Sequence, residues 1–395
     1  MELKPGYKQT EVGVIPEDWK LDRVLNRASI TTGAKNTEDK IEDGEYPFIV
    51  RSAKVERINT YSFCGEAVLT AGDGVGTGKI FHYINGKFDF HQRVYRISNF
   101  AEALNGFFFY LYFSTHFYDR IMSMTAKSSV DSVRMEMIAD MLIPLPPLPE
   151  QRAIAGVLSD VDALISALDQ LIAKKRGLKQ AAMQQLLTGQ QRLPGFNSDW
   201  DVKRLGEIGK FIKGKGINKD EVVDEGLPCI RYGEIYTHHN DQVRSFFSFI
   251  TVATAKQSQR IKKGDLLFSG SGETAEEIGK CVAFLGDEEA YAGGDIVVLS
   301  PTGQNSMFLG YLMNHPTVTS QKARMGQGDA VVHISAKNLA QLEVRLPKCD
   351  EQTAIAAVLS DMDSEIAALE QRRDKTRALK QGIMQELLTG RTRLV

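Results

Sequence analysis

A glycine-rich stretch with a lysine, AGDGVGTGKIF at residues 71–81, has the composition of a phosphate-binding loop. A Walker loop requires G-x-x-x-x-G-K-[ST], because successive backbone N–H groups surround the phosphates and a hydroxyl reaches magnesium. Here Asp73 stands five residues before Gly78, and Ile80 follows Lys79, so two required positions differ. The dinucleotide pattern G-x-G-x-x-G does not fit either. The stretch therefore predicts a tight turn, either a plain hairpin or one whose backbone approaches a ligand closely.

Other residues able to do chemistry are scattered along the chain. The cysteines form no C-x-x-C pair and have no histidine at metal-ligand spacing; they are Cys64, Cys229, Cys281 and Cys349. Neither a zinc site nor a disulfide framework is indicated, so we expect buried thiols. The sequence has no [DNS]-P-P-[YFW] tetrapeptide of adenine methylases and no nuclease-like carboxylate cluster. No catalytic, cofactor or metal site is predicted in this chain.

The overall composition is that of a globular chain of two or three domains, with 395 residues, 43% hydrophobic and 25% charged. No apolar run reaches the roughly 18 to 20 residues that span a bilayer, and the first residues, MELKPGYKQT, do not have the layout of a signal peptide. We therefore expect a cytoplasmic protein with no membrane partner. The formal net charge of −2 is not the basic excess typical of nucleic-acid binders, so any such surface must be local.

The chain contains an internal repeat. Residues 150–193 return without a gap at 351–394, and both copies carry LLTG near their ends. The regions before them correspond more faintly, because Gly78-Lys79 matches Gly279-Lys280 at the same displacement of 201 positions. The chain is therefore two half-proteins, each a divergent globular domain followed by a similar helix.

Both repeats predict long helices. In the first, apolar residues recur with the 3-4-3-4 spacing of a coiled-coil seam, and at 1.5 Å per residue the helix extends roughly 60 Å. The predicted seam residues are Ile154, Val157, Val161, Leu164, Leu168, Leu171 and Leu178 in the first helix and Ile355, Val358, Met362, Leu369, Leu379 and Ile383 in the second. We expect the helices to pair antiparallel about an internal pseudo-twofold axis; the alternative is that each packs only against its own domain.

Short runs rich in β-branched and aromatic residues, such as YPFIV and DIVVLS, fill the globular halves and predict strands joined by turns. Apolar segments that follow them predict helices packed on a sheet. The predicted fold class is α+β, with two similar globular domains of mixed β-sheet separated by two long antiparallel coiled-coil helices.

Two segments carry a resemblance to a known family. IADMLIPLPPLPEQRAIAGVLSDVDALI and NLAQLEVRLPKCDEQTAIAAVLSDMDSEI resemble the junction between a target recognition domain and a spacer helix in specificity (S) subunits of type I restriction-modification enzymes. The LPPLPEQ start, the LLTG end and the double domain-plus-helix layout together cover essentially the whole chain. The second copy departs from the pattern with LPKCDEQ, but it retains Glu351 and Gln352.

The resemblance implies a non-catalytic subunit that reads DNA. It assigns residues 1–149 and 191–349 to two target recognition domains, each reading one half of a bipartite site, and residues 150–190 and 350–395 to central and C-terminal spacer helices. The helices dock two methyltransferase (M) subunits that methylate adenine at N6, and through them ATP-dependent restriction (R) subunits. S-adenosylmethionine, ATP and magnesium are therefore expected on the partner subunits and not on this chain.

Groove-facing loops of the two domains are the predicted DNA-binding surface, because phosphates and base edges are contacted by cationic, amide, carboxylate and hydroxyl side chains. Candidates in the first half are Arg51, Ser52, Lys54, Asp73, Thr77, Lys79, His91, Gln92, Arg93, Lys127, Ser128 and Ser129. Candidates in the second half are Lys213, Lys215, Arg231, Tyr232, Glu234, Ser269, Ser271, Lys280, Gln327, Asp329 and His333. For each residue, a solvated turn is the alternative.

Two other functions remain open at this point. One is a DNA-reading or scaffolding module of another methylation-based defence system, and the other is a nucleotide-binding enzyme that uses the glycine-rich loop. Copurification with an adenine methylase favours the restriction interpretation, whereas ATP binding that depends on Lys79 favours the enzyme.

Overall fold

The computed structural model describes residues 5–124, 132–328 and 331–394. The chain divides into two compact units, which we call unit 1 (residues 1–169 and 371–395) and unit 2 (residues 170–370). Each unit combines a globular part with a portion of both long helices. The units therefore run across the four linear segments expected from the sequence, and the assignment of residues 1–149 and 191–349 to recognition stays a prediction.

Unit 1 is built on one mixed sheet. Its strands are β1 (Tyr7–Thr10), β2 (Gly13–Pro16), β3 (Lys20–Arg23), β4 (Ser29–Thr32), β5 (Tyr46–Ile49), β6 (Glu56–Ile58), β7 (Phe63–Ala71), β8 (Phe81–Phe90), β9 (Val94–Ser98) and β10 (Leu142–Leu145). Six of them form a sheet of order β4-β9-β7-β8-β5-β6, in which only β5 and β8 pair in parallel. β7 and β8 form a long hairpin with Thr70 opposite Phe81, so the glycine-rich stretch is its connection.

Aromatic residues of one helix cover this sheet. The helices of the first half are α1 (Gly106–Ser123), α2 (Met135–Ala139) and α3 (Leu148–Leu186), and 3₁₀ turns span Val24–Asn26 and Thr37–Asp39. The side chain of Asn105 caps α1 by accepting a hydrogen bond of 2.8 Å from the backbone N–H of Phe108. Phe113 is fully buried and meets the ring of Phe81 edge to face, 5.5 Å between centroids. The apolar run of α1 thus closes the core of unit 1.

Unit 2 distributes its strands over several smaller sheets. Its strands are β11 (Asp201–Arg204), β12 (Gly209–Lys213), β13 (Val222–Val223), β14 (Leu227–Ile230), β15 (Ser248–Ile250), β16 (Gln259–Ile261), β17 (Leu266–Ser269), β18 (Ser271–Gly272), β19 (Cys281–Ala283), β20 (Ala290–Ala292), β21 (Ile296–Pro301), β22 (Val332–His333) and β23 (Glu343–Leu346). The larger sheets have the orders β12-β21-β17-β19 and β13-β15-β14-β20-β16. The second is mixed, because β14 and β20 are parallel.

Helices of unit 2 are short except for the last. They are α4 (Leu205–Ile208), α5 (Tyr232–Thr237), α6 (Val252–Ala255), α7 (Ser306–Met313), α8 (Pro316–Met325), α9 (Ala336–Leu339) and α10 (Cys349–Leu387), with a 3₁₀ turn at Lys219–Glu221. Strands and helices share the core around Phe268, Phe308 and Leu359. Both globular parts combine mixed sheets with packed helices, so the predicted α+β class is confirmed.

The two long helices begin in the same way. The side chain of Gln151 in α3 accepts a 2.9 Å hydrogen bond from the backbone N–H of Asn105, which precedes α1. Gln352 in α10 accepts an equal bond from Asn305, which precedes α7. Both glutamine side chains are fully buried. The repeat therefore preserves the polar contact that fixes each long helix to its globular part.

Within each unit, the portions of α3 and α10 run antiparallel. In unit 1 Lys380 binds Asp162 at 2.6 Å and Arg377 binds Asp169 at 2.8 Å, so residue numbers fall along one helix as they rise along the other. In unit 2 Lys179 binds Asp363 at 2.7 Å. The predicted antiparallel pairing is confirmed, and charged pairs form part of the contact.

The seam between the helices differs from the predicted one. Its predicted positions Ile154, Leu168 and Ile355 are buried, and Val161, Met362, Leu369 and Ile383 are half-buried. The intervening positions are wrong, because the structure leaves them 36 to 59% exposed; they are Val157, Leu164, Leu171, Leu178, Val358 and Leu379. At three of these six positions the next residue is buried instead, at Leu158, Ile172 and Leu359, and Ile366 is buried as well. α3 carries apolar residues both on the face that packs against α10 and on the adjacent exposed face. Several of the predicted seam residues lie on the exposed face.

In each unit, a buried ion pair joins the start of one long helix to the residues that follow the other. In unit 1 Arg393 donates to both oxygens of Glu150, at 2.5 and 2.8 Å, and Glu150 also accepts from the indole N–H of Trp19 at 3.1 Å. In unit 2 Arg192 binds Glu351 through two bonds of 2.6 Å. Both glutamates are at most 2% exposed. Each arginine follows an LLTG segment at the end of one long helix. The segment therefore positions an arginine beside the buried glutamate at the start of the other long helix.

Two cysteines depart from the expected burial. Cys229 and Cys281 are buried, and burial raises the pKa of Cys229 to about 12. Cys64 in β7 and Cys349 at the first turn of α10 are exposed. Among the described residues, all four thiols are free.

Candidate nucleic-acid interface

Three predicted residues of unit 1 meet beside the end of β5, the end of β7 and the start of β9. Asp73 binds Arg51 through one carboxylate oxygen at 2.8 Å and Arg93 through the other at 2.5 Å. The side chains of Arg51 and Arg93 remain 40% and 61% exposed. Partial burial favours the neutral acid, but hydrogen bonds and charge from both arginines outweigh it and hold the pKa of Asp73 below its usual range. The carboxylate is therefore ionised and fixes two cations that still face solvent.

The glycine-rich hairpin connection has a defined shape. Gly74 and Gly78 have φ of +88° and +69°, which favour glycine, and the hydroxyl of Thr77 donates to the carbonyl of Gly74 at 2.6 Å. Thr77 is buried and its side chain holds the loop, so its contact with DNA stays a prediction. Lys79 is exposed, with its ammonium 5.1 Å from the ring centre of Tyr118. Val75 at the tip is fully exposed.

The turn between β8 and β9 contains a buried histidine, His91, and an exposed glutamine, Gln92. His91 is buried, and its Nδ1 accepts from the backbone N–H of Arg93 at 3.0 Å. Burial, aided by the charge of Arg51, lowers the pKa of His91, so the ring is neutral at pH 7. The ring supports the turn from inside, and its contact with DNA stays a prediction. Gln92 is exposed and donates to Asn36, a neighbour that the sequence did not single out.

The remaining candidates of unit 1 contribute less. Lys54 is 76% exposed and pairs with Glu56 at 3.2 Å, whereas the hydroxyl of Ser52 donates to the backbone of Lys54 at 3.0 Å. Both residues therefore lie in one surface turn after β5. The predicted residues Lys127, Ser128 and Ser129 lie outside the described part of the chain.

Several candidates of unit 2 prove to be internal. Ser269 and Ser271 are buried and bonded to each other, the hydroxyl of Ser269 donating to the carbonyl of Ser271 at 2.7 Å. Glu234 is buried beside Ser248, whose hydroxyl it binds. Lys280 donates to the carbonyl of His239 at 2.7 Å, and burial lowers its pKa. Each of the four satisfies a hydrogen-bond partner inside the fold, although Lys280 is only half-buried, and their contacts with DNA stay a prediction.

Other candidates of unit 2 do reach its surface. Lys213, Lys215, Gln327 and His333 are exposed, and Tyr232 is 42% exposed. Arg231 is half-buried 3.9 Å from Glu234. Asp329 lies outside the described residues. Lys213 ends β12 and Lys215 follows it, whereas Gln327 and His333 pair with each other through backbone hydrogen bonds of 3.0 and 2.8 Å.

A cleft of about 880 Å³ in unit 2 contains residues that our sequence analysis did not identify. Its lining includes Tyr236, the candidate Lys280, and Lys322, whose buried ammonium donates to the carbonyl of Gly279 at 2.6 Å. Burial lowers the pKa of Lys322 to about 8. Gly279 and Gly78 share a φ of +69°, and Ile121 lies against Gly78 where Lys322 lies against Gly279. The repeat thus places a lysine where unit 1 has an apolar residue.

The exposed loops of the two units differ in charge. Unit 1 presents Arg51, Arg93 and Lys79 around the single carboxylate of Asp73. The corresponding hairpin connection of unit 2 is acidic, with exposed carboxylates at Glu273, Glu276 and Glu277.

Within the described ranges, no group of three or more His, Cys, Asp or Glu side chains is placed to hold a metal ion, and no helix is long and apolar enough to cross a membrane.

The comparison with protein families decides where the chain belongs. The family model described as "Type I restriction modification DNA specificity domain" matches twice, over residues 16–174 and 197–377. The chain belongs to this family. The double match also confirms the internal repeat, because each copy covers one globular part and its following helix.

Relatives and solved structures agree with the specificity-domain family. The chain is 23% identical over 424 residues to the type I restriction enzyme MjaVIII specificity subunit of Methanocaldococcus jannaschii, covering 98% of this chain and 96% of that one. It is 27% identical over 182 residues to the EcoDI specificity subunit of Escherichia coli, covering 45% and 40% of the two chains. The crystal structure of the type I restriction-modification S subunit from M. genitalium matches with a TM-score of 0.65 at 17% identity, over 98% of both chains. That last match shows a shared fold.

Proposed function

We propose that this chain is the DNA sequence-recognition subunit of a type I restriction-modification complex, with each globular part reading one half of a bipartite target. The observation that carries the proposal is a repeated fold with different exposed chemistry in its two copies. Unit 1 presents arginines, which suit base acceptors, and unit 2 presents carboxylates, which suit base amino groups. Two copies of one scaffold with unlike loops read unlike sequences.

The long helices set the spacer between the half-sites and dock two methyltransferase subunits. Outward-facing apolar side chains support this role: Val157 and Leu164 in unit 1 and Leu171 and Leu178 in unit 2 are 37 to 48% exposed. They recur every seven residues along α3, which keeps them on one face of the helix. Exposed apolar side chains that share one face of a charged helix suit a protein partner.

The chemistry of the complex belongs to its partners. Methyltransferase subunits bind S-adenosylmethionine and transfer its methyl group to N6 of adenine, and restriction subunits joined through them use ATP and magnesium. This chain is the non-catalytic subunit, and it acts in the cytoplasm on double-stranded DNA. It selects the site at which those subunits act.

Mapping of methylated adenines by long-read sequencing tests the proposal. In cells that carry the complete system, we expect one split motif whose methylation disappears when this chain is deleted and returns when it is restored on a plasmid. An unchanged methylome in a system whose methyltransferase is active contradicts the proposal. Purification of the complex should in addition recover two methyltransferase subunits per chain.

A further inference from the structure

The cluster of Arg51, Asp73 and Arg93 has the chemistry of a reader of one base. We propose that it recognises a guanine in the major groove of the half-site bound by unit 1. This inference rests on the proposed function, and it assigns a base to residues that the family match leaves without a role. Guanine presents two acceptors in the major groove, O6 and N7, and arginine binds both at once.

The hydrogen bonds of the cluster leave the arginines available. Each binds Asp73 through Nη1 alone, and within the described part of the chain Nε and Nη2 of Arg51 and Arg93 have no acceptor. A guanidinium has five N–H donors in a planar fork, so both arginines keep enough donors for a bidentate contact. The aspartate orients the forks without consuming them.

Main-chain hydrogen bonds hold the three residues in place. The backbone N–H of Gly72, next to Asp73, donates to the carbonyl of Arg93 at 2.8 Å, and Val133 donates to the carbonyl of Gly72 at 2.7 Å. Arg51 follows β5, whose Ile49 carbonyl accepts from the N–H of His91 at 2.9 Å. The arginines therefore project from fixed backbone and are restrained at their tips, so ordering them on DNA costs little entropy.

The carboxylate of Asp73 is the observation that favours contact with a base over contact with a phosphate. A patch that only neutralises phosphates gains nothing from an ionised aspartate at its centre, since the aspartate repels them. Beside a base edge, the same carboxylate fixes the orientation of each fork and can accept from a cytosine amino group nearby. The arrangement thus favours a G·C pair over the DNA backbone.

The matched position in unit 2 has the opposite charge. There Gly270 donates to the carbonyl of Asp295 at 2.7 Å, as Gly72 does to that of Arg93, so Asp295 stands where unit 1 has Arg93. Asp295 is exposed. A common need for phosphate contact predicts like charges at equivalent points, whereas readers of different bases differ in this way.

The test measures methylation by the complete complex on its mapped target. We expect Arg93→Ala to lower kcat/KM by roughly 5- to 150-fold, the range for loss of one bidentate base contact, and Arg51→Ala to lower it by a smaller factor, because O6 and N7 of one guanine accept a bidentate contact from one arginine. Asp73→Asn should give a smaller loss with relaxed preference at the same base pair. The matched control is Arg23→Ala, since Arg23 is also 61% exposed and pairs with a single carboxylate, Asp140, at 3.1 Å; its kcat/KM should stay within about twofold.

A modified substrate tests the contact without changing the protein. Replacing one guanine of the target by 7-deazaguanine removes the N7 acceptor, so wild-type methylation should fall at one guanine and Arg93→Ala should show no further fall there. The inference is overturned if the target has no such guanine or if Arg93→Ala keeps wild-type kcat/KM. If deletion of the chain leaves the methylome intact, the proposed function itself fails, which is a separate result.

Discussion

At the scale of single residues, burial separates the DNA candidates that the structure presents to solvent from those it uses internally. The sequence supplies residue types suited to DNA, and it placed Arg51, Asp73 and Arg93 on three loops that the fold brings together. It did not reveal that Thr77, His91 and Ser271 point inward, because a polar side chain in a loop looks alike whether it binds DNA or its own backbone. Only the partners of these side chains, which are distant in sequence, decide between the two.

The buried pair of Arg393 and Glu150 gives a prediction about stability. Arg393→Ala leaves the fully buried carboxyl group of Glu150 without its cationic partner, so we expect the free energy of unfolding to fall by about 3 kcal/mol, as measured by urea denaturation. The control is Arg391→Ala, because Arg391 is 59% exposed and lies 3.8 Å from Glu386. It should cost less than about 0.5 kcal/mol. Equal effects of the two variants contradict a stabilising role for the buried pair.

The buried lysine of unit 2 gives a prediction about pH. The folded pKa of Lys322 is about 8, below its ordinary value of 10.5, so the unfolded chain binds more protons between these values and stability rises with pH there. At pH 7 both states are protonated and the full cost of burying the charge is present. Lys322→Ile, which copies Ile121 of unit 1, should therefore raise the free energy of unfolding at pH 7 by about 2 kcal/mol, and by less at pH 9.5.

Urea denaturation at both pH values checks this expectation. Lys337→Met is the control, because Lys337 is exposed and its replacement should change neither value by more than about 0.5 kcal/mol. A gain for Lys322→Ile that is equal at pH 7 and pH 9.5 contradicts the assigned cause, since packing alone does not titrate.

At the scale of elements, the sequence predicted that the two long helices exist and that they pair. It did not predict which apolar residues of each helix face the other. α3 has apolar residues both three and four positions after Ile154, at Val157 and Leu158, so its own periodicity fits either side. The second copy contained the missing signal. Glu365 follows Met362 by three positions and Ile366 follows it by four, and only Ile366 is buried. Reading the two repeats together would have placed the seam correctly.

Adjacent residues of α3 test the corrected seam. Ile172 is 2% exposed and Leu171 is 38% exposed. Ile172→Ala should lower the free energy of unfolding by roughly 2 to 4 kcal/mol, whereas Leu171→Ala should lower it by less than about 1 kcal/mol. If the outer face docks a methyltransferase subunit, Leu171→Ala should instead reduce the amount of that subunit retained on gel filtration. The reverse pattern of stabilities restores the seam first predicted.

At the scale of the whole molecule, the near-neutral charge has a consequence for DNA affinity. A net charge of −2 supplies little of the counterion release that drives association with DNA, so we expect most phosphate contacts to come from the proposed partner subunits. We expect the complete complex to bind its cognate duplex at least ~100-fold more tightly than the free chain at 150 mM salt. Fluorescence anisotropy with cognate and scrambled duplexes measures this ratio, and equal affinity of free chain and complex contradicts it.

Unit 1 is formed by two separate segments of the chain, and this has a consequence for its folding during synthesis. Unit 2 is one continuous segment, residues 170–370, whereas unit 1 needs residues 371–395 in addition to the first 169. The hydroxyl of Tyr7 donates to the carbonyl of Gly390 at 2.9 Å, and Arg393 binds Asp18 at 2.8 Å, so these contacts join the first and last parts of the sequence. We therefore expect unit 1 to complete its folding only after residues 371–395 have been synthesised. In that interval we expect its portion of α3 to lack the portion of α10 that pairs with it, and this exposed apolar surface is available to a chaperone or to an early-binding partner.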